Sequence, residues 1–200
     1  MKYRDIPVLV LGYNRPEHIK KLILSLRKVR PKKIYICLDG PKKNLSDRKK
    51  SESVKKEIQK IDWKCKIKKK YNTKNFGCRK SVSTGISWFF RENRFGIILE
   101  DDCIPNESFF IFCQKIDANY SKNKKIFAIS GSNFFNRTIK NDFFFSKYNH
   151  CWGWATWSRA WKYYDNKLTF WSKWKYSNQW KYLHDNRLEK KYWEKIFNNV

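Results

Sequence analysis

Three consecutive acids, Glu100-Asp101-Asp102, directly follow the apolar run Phe95 to Leu99, and they are the residues of this sequence best placed to do chemistry. Adjacent carboxylates at a strand end repel one another unless a cation neutralises them. A hard divalent metal, with oxygen ligands from carboxylate and phosphate, is the natural partner. If the strand ran through all three, period-two alternation would put Glu100 and Asp102 on one side and Asp101 on the other. Asp102 could then hold the metal while Glu100 faces a ligand hydroxyl. The plainer alternative is a solvated acidic turn or the cap of the next helix. The buried strand, and the scarcity of acids in so basic a chain, favour the functional reading.

Three weaker constellations accompany the acids. Asp39-Gly40 closes another apolar run, where an acid can accept hydrogen bonds from a ribose or base, although D-G is also a common turn dipeptide. Tyr13-Asn14-Arg15 ends the first apolar run, and Arg15 could clamp a diphosphate bidentately or be an ordinary surface arginine. Asn75, Gly77, Arg79 and Lys80 surround a helix start, a place suited to phosphate; in a chain with 45 Lys and Arg a plain basic loop is a strong alternative. The aromatic stretch His150-Cys151-Trp152-Gly153-Trp154 completes the set. Indole faces stack on sugars or bases and also fill cores, and the core reading holds for at least half of these tryptophans. Of the histidines, His150 is the one to place near a site; His18 reads as a surface helix residue, and His184 sits among polar residues.

The elements that must position these residues are legible as periodicities. Ile6 to Gly12, Lys33 to Asp39 and Phe95 to Leu99 are short apolar runs, predicted as strands buried on both faces. Cys65 to Lys70 is a lysine-rich strand expected at an edge, and Ile126 to Ser130 is a further strand. Helices are predicted around Ile19-Leu22-Ile23-Leu26, with Pro16 at a first helical position, and around Val54-Ile58-Ile61, Val82-Ile86-Phe89-Phe90 and Phe109-Phe112-Cys113-Ile116. Alternating strands and helices predict an α/β domain with a mostly parallel sheet flanked by helices, its ligands beyond the carboxyl ends of the strands. Two segments are expected: an α/β domain over 1–145, and a Trp/Lys-rich segment over 146–200. Eight of the ten tryptophans lie between 152 and 193.

The totals bound the class. With 18% aromatic residues the chain folds despite its 32% charged residues. The net charge of +27 attracts polyanions. Two readings of that charge stand: lysine filling solvent-exposed positions, which takes precedence, and a membrane-surface or phosphate-seeking face. The six cysteines lack C-x-x-C spacing, so neither a zinc site nor a disulfide framework is expected, and a reducing, cytoplasmic setting is. No apolar run reaches transmembrane length, so any membrane contact is peripheral, at the inner face. A non-catalytic nucleic-acid-binding protein would also use the charge and the interleaved aromatics. The acidic cluster argues against it, and nucleic acid is not an expected partner.

Taken in order, Tyr13-Asn14-Arg15-Pro16, Leu38-Asp39-Gly40, Asn75-x-Gly77, Leu99-Glu100-Asp101-Asp102, Ser130-Gly131-Ser132-Asn133 and Gly153-Trp154 resemble bacterial sugar transferases of the nucleotide-diphospho-sugar transferase (GT-A) fold. They are distantly similar to the N-acetylglucosaminyltransferase I family. The resemblance covers the chain from the first strand to about Trp161, and the acidic triplet is its most specific part. It implies a metal-dependent glycosyltransferase taking a sugar from a nucleotide-sugar donor, UDP-linked by expectation, to a glycan or lipid-linked acceptor. It implies Mn2+ or Mg2+ on Asp102, Glu100 toward the ribose with Asp101 alongside, Arg15 near the diphosphate and Asp39 near the uracil or ribose. Gly40, Gly77 and Lys80 fall on the donor side, and His150, Trp152 and Trp154 on the acceptor side. One departure stands out. An inverting enzyme needs a carboxylate base, which the family carries in a Trp-Asp context downstream of the Gly-Trp segment. No such match occurs here; Asp165, Asp185 and Glu189 are the remaining candidates. A fragment or shortened homologue that binds donor without transfer is the corresponding alternative.

Overall fold

A computed structural model describes residues 2–134 and 142–199. It is an α/β structure built on a six-stranded mixed sheet flanked by helices. The strands are β1 (Val8–Gly12), β2 (Lys33–Leu38), β3 (Lys66–Tyr71), β4 (Phe95–Glu100), β5 (Ala128–Ser130) and β6 (Trp154–Trp157), ordered β3-β2-β1-β4-β6-β5. The first four are parallel, with Val10 beside Ile36 and Leu99, and Leu11 beside Glu100. β6 runs antiparallel to both β4 and β5. The chain therefore builds outward from β1 through β2 to β3, then returns to place β4 on the other side of β1. That reversal opens a crevice beyond the carboxyl ends of β1 and β4, where ligands of open α/β sheets bind.

Strand residues alternate between two apolar layers. Val8, Val10, Ile34, Ile36, Leu38, Ile97 and Leu99 face α1 (Pro16–Val29), α2 (Leu45–Ile58) and α4 (Glu107–Tyr120). Leu9, Leu11, Tyr35, Cys37 and Ile98 face α3 (Cys78–Phe89) through Ile86 and Phe89. Burial on both faces is why these strands read as unbroken apolar runs. β3, at the edge, keeps its lysines half-buried or exposed. Pro16 opens α1, and Asn44 and Asn106 cap α2 and α4 by accepting from Asp47 N–H (2.8 Å) and Phe109 N–H (3.0 Å). Ile61, predicted within the second helix, lies beyond its end at Ile58 and packs against the core from the following loop.

The antiparallel strand β6 was not anticipated. Its tryptophans hid a strand of only four residues, which wedges between β4 and β5. Compact units divide at Met1–Lys162 and Tyr163–Val200, later in the chain than the expected division at 145, because β6 is a strand of the sheet and the short helix α5 (Ser158–Trp161) follows it directly. The second unit, taken by itself, holds α6 (Trp171–Trp174), α7 (Asn178–Tyr182) and α8 (Arg187–Asn198) around a cluster of Trp171, Trp174, Trp180 and Phe197. All six cysteines are free thiols. Among the described residues no helix is long and apolar enough to cross a membrane.

Candidate functional site

The crevice at the switch point is closed on one side by the turn after β1 and on the other by the acids after β4. β4 ends at Glu100, and Asp101-Asp102 form a turn in which Cys103 N–H donates to Glu100 O at 3.0 Å. The turn, rather than strand alternation, sorts the three acids. Asp101 is buried, Glu100 half-buried, and Asp102 exposed enough to meet a ligand. Arg15 spans the gap from β1. Its Nε and Nη2 hold Asp101 on both carboxylate oxygens, and its Nη1 donates to Asp102 Oδ2 at 3.1 Å. A planar guanidinium suits this two-oxygen grip, which a lysine would not reproduce.

This arrangement assigns different work to the neighbours. Asp101 orients Arg15; its carboxylate is committed to that pair. Burial pushes the Asp101 carboxyl up from its ordinary range, against the pull of Arg15. Burial first, and then the charges of Asp102 and Asp101, push the Glu100 carboxyl up as well, with Arg15 opposing. The pair with Asp101 raises the Arg15 guanidinium further, so it is cationic throughout. The site thus holds an excess of negative charge that one arginine only partly offsets.

Asp39 is buried and saturated by its own backbone. It accepts from the N–H groups of Gly40 (3.0 Å), Phe76 (3.0 Å) and Gly77 (3.0 Å) and from Asn72 Nδ2 (3.3 Å). Asn75 Nδ2 in turn donates to Gly40 O at 2.9 Å. Asp39 therefore ties the loop after β3 to the end of β2, leaving little capacity for a ribose or base. The close approach explains Gly40: a Cβ there would meet the Lys74 backbone at 2.5 Å. Gly77 caps α3 at φ +79°, a conformation that favours glycine. Arg79 and Lys80 are exposed on the first turn of α3, and Lys80 Nζ lies 5.0 Å above the Phe76 ring.

Asp47 was missed in the sequence. From the first turn of α2 it accepts from Tyr13 Oη (2.5 Å), Asn14 Nδ2 (2.5 Å) and Lys42 N–H (2.6 Å), so Tyr13 and Asn14 are held by α2 rather than offered to a ligand. Burial and the Asp47 charge push the Tyr13 hydroxyl up to about 12. Burial works against Asp47, yet these hydrogen bonds outweigh it and lower its carboxyl. Its sequence signal was the capping spacing Asn44-x-x-Asp47 in an otherwise polar stretch.

On the β5–β6 side, Gly131 N–H donates to Gly153 O at 2.8 Å, and Ser130 and Ser132 hydroxyls donate to the carbonyls of His150 (3.2 Å) and Trp152 (3.1 Å). A cleft of about 480 Å³ lies here, with Asp102, Cys103, Asn106, Phe109, Ser132 and Trp152 among its lining. The His150 and Trp152 rings stack, 5.8 Å apart and 8° from parallel, and Phe134 stands edge-on to both. Trp152 is 64% exposed beside Asp102's cleft. Trp154, expected with it, is turned into the layer of Leu9, Leu11 and Ile98. Gly153, at φ +69°, turns the chain between Trp152 and the start of β6 at Trp154, and so separates the two tryptophans.

The three candidate bases lie in the Tyr163–Val200 unit. Asp165 accepts from Lys167 N–H, Thr169 N–H and Thr169 Oγ1, which fixes it as a turn residue and lowers its carboxyl. Glu189 accepts from Asp185 N–H at 2.8 Å, within the turn leading into α8.

Among the described residues no three His, Cys, Asp or Glu side chains converge as a metal cage. A magnesium-like ion in a phosphate site does not require one, since it takes one or two carboxylates and completes its shell with phosphate and water. Asp102, half exposed and bound on one oxygen by Arg15, fits that single-ligand role. No family model matches this chain, and no curated protein matches it.

Proposed function

We propose that the chain is a metal-dependent glycosyltransferase of the GT-A type, taking a sugar from a nucleotide-sugar donor, UDP-linked, to a glycan or lipid-linked acceptor. The observation that carries the reading is Arg15, at the end of β1, gripping Asp101 and reaching Asp102 at the end of β4. A cation and an accessible acid thus meet at the point where α/β sheets bind nucleotides. Mn2+ or Mg2+, when bound with the donor, neutralises charge on the leaving diphosphate. Asp102 would hold it. Arg15, anchored by Asp101, is oriented to bind a phosphate oxygen through Nη1 without losing its buried pair. Asp47 and Asp39 keep the loops around the donor in place. The Trp152 and His150 rings offer a flat face to a sugar on the acceptor side.

Calorimetric titration of UDP with and without Mn2+ tests this. Wild type should bind UDP only with metal, and Asp102→Ala should lose that dependence. Absence of metal-dependent UDP binding, or an Asp102→Ala protein indistinguishable from wild type, would remove the proposal. A second reading, donor binding without transfer, is favoured by one observation. Asp102 is the one carboxylate among the described residues lining the cleft. It predicts metal-dependent UDP binding with no sugar released or transferred when UDP-sugars are incubated with the protein.

A further inference from the structure

The last helix has a surface that the donor site does not use. α8 turns Trp193 and Phe197 inward, where Phe197 meets Trp171 at 5.1 Å and Trp180 at 5.8 Å between ring centroids. Both of its acids are engaged: Glu194 accepts from Trp180 Nε1 at 3.1 Å, and Glu189, at the stripe's edge, from Asp185 N–H. The adjoining face carries Leu188, Tyr192 and Ile196, which are 79%, 59% and 40% exposed. Spaced at i, i+4 and i+8, they form one stripe. Arg187, Lys191 and Lys195, all exposed, border it on one side.

The rest of the unit repeats the pattern. Tyr176 and Tyr182 are largely exposed, each with a lysine over its ring: Lys175 at 4.9 Å and Lys181 at 5.4 Å. The unit carries eight Lys and Arg against four Asp and Glu. An apolar stripe with cations along one edge, in a unit whose exposed tyrosines are amphipathic, has the composition of helices that lie in a bilayer interface.

We infer that the Leu188-Tyr192-Ile196 face of α8 docks on an anionic phospholipid surface, with Arg187, Lys191 and Lys195 at headgroup level. Positive charge gives the complementarity, and long lysine stems let the apolar stripe sink while their ammonium groups stay in water. Single-stranded nucleic acid fits less well, because Leu188 and Ile196 have no ring on which a base can stack. The net charge alone was compatible with a membrane-seeking face; the helix supplies the apolar stripe and its place. The inference is independent of the donor site.

Co-sedimentation of the whole chain with vesicles tests it. Binding is expected to phosphatidylglycerol-containing vesicles, with much weaker binding to pure phosphatidylcholine. Leu188→Ser/Tyr192→Ser/Ile196→Ser should reduce partitioning about tenfold or more. Lys191→Gln/Lys195→Gln should reduce it about fivefold per charge, with an unchanged far-UV spectrum. Asp102→Ala should bind vesicles like wild type, which separates failure of this inference from failure of the donor site. If the triple variant does not fold, the lysine pair decides. No binding to anionic vesicles, wild-type binding by the folded variants, or the same residues governing oligonucleotide instead of vesicle binding would overturn it.

Discussion

At the scale of single residues, the site is a set of carboxylates given unequal work by their surroundings. Asp101 and Asp39 are buried and consumed, one by Arg15 and one by backbone N–H groups, whereas Asp102 remains accessible. Burying an acid is tolerable only when its oxygens are matched. Asp47 is the sharpest case. Asp47→Ala should cost about 2–4 kcal/mol in urea unfolding, because it orphans Tyr13, Asn14 and the Lys42 amide together. Its carboxyl is lowered, so its stabilising contribution is present above the ordinary carboxylate range and fades as pH falls through its depressed folded value. The difference between wild type and Asp47→Ala should therefore shrink in acid. Glu100 behaves oppositely. Its carboxyl is raised by burial and by the neighbouring acids, so it favours the fold in acid and costs stability once pH rises through its elevated folded value. Glu100→Gln should raise Tm by a few degrees at neutral pH in calorimetry, and that gain should vanish in mild acid.

Elements convert these residues into a site through close approaches of backbone. The β2–β3 side is stitched by Asp39 and Asn75 across Gly40, where the Lys74 backbone leaves no room for a Cβ. Gly77, by contrast, has open space but a positive φ. Gly40→Ala should cost about 1–3 kcal/mol from overpacking, and Gly40→Ser more. Gly77→Ala should cost about 1–3 kcal/mol from backbone strain, and Gly77→Ser no more than that. Thermal unfolding of the four variants distinguishes a steric from a conformational requirement. At the acids, the turn after β4 matters more than the strand. By ending β4 at Glu100 it frees Asp102 to face the cleft while Asp101 turns inward.

Across the whole molecule, the two compact units differ in how they are held. Residues 1–162 close a six-stranded sheet with apolar layers on both faces, enough core for independent folding. The remaining 38 residues rely on a few indoles packed edge to face, near the size below which a single core is marginal. A chain of residues 1–162 should unfold cooperatively in urea and keep metal-dependent UDP binding, because Arg15, Asp101 and Asp102 all lie within it. Loss of cooperative unfolding in that chain would show that the sheet unit needs its C-terminal neighbour.

What the sequence by itself determined was local. Unbroken apolar runs marked β1, β2 and β4, because strands buried on both faces cannot alternate in polarity. Helical spacing marked α1 to α4, and the acids after Leu99 marked where a cation could gather. Pairing in space was decided by the tertiary structure alone. That Arg15 would grip Asp101, that Asp47 would hold Tyr13 and Asn14, and that Asp39 would be spent on backbone depend on loops brought together from 33 to 86 residues apart in the chain. Periodicity reports which face of an element is apolar; it carries no information about which distant polar group meets it. For the same reason β6 stayed hidden: four residues beginning and ending in tryptophan become a strand only where β4 and β5 both present an edge to pair with.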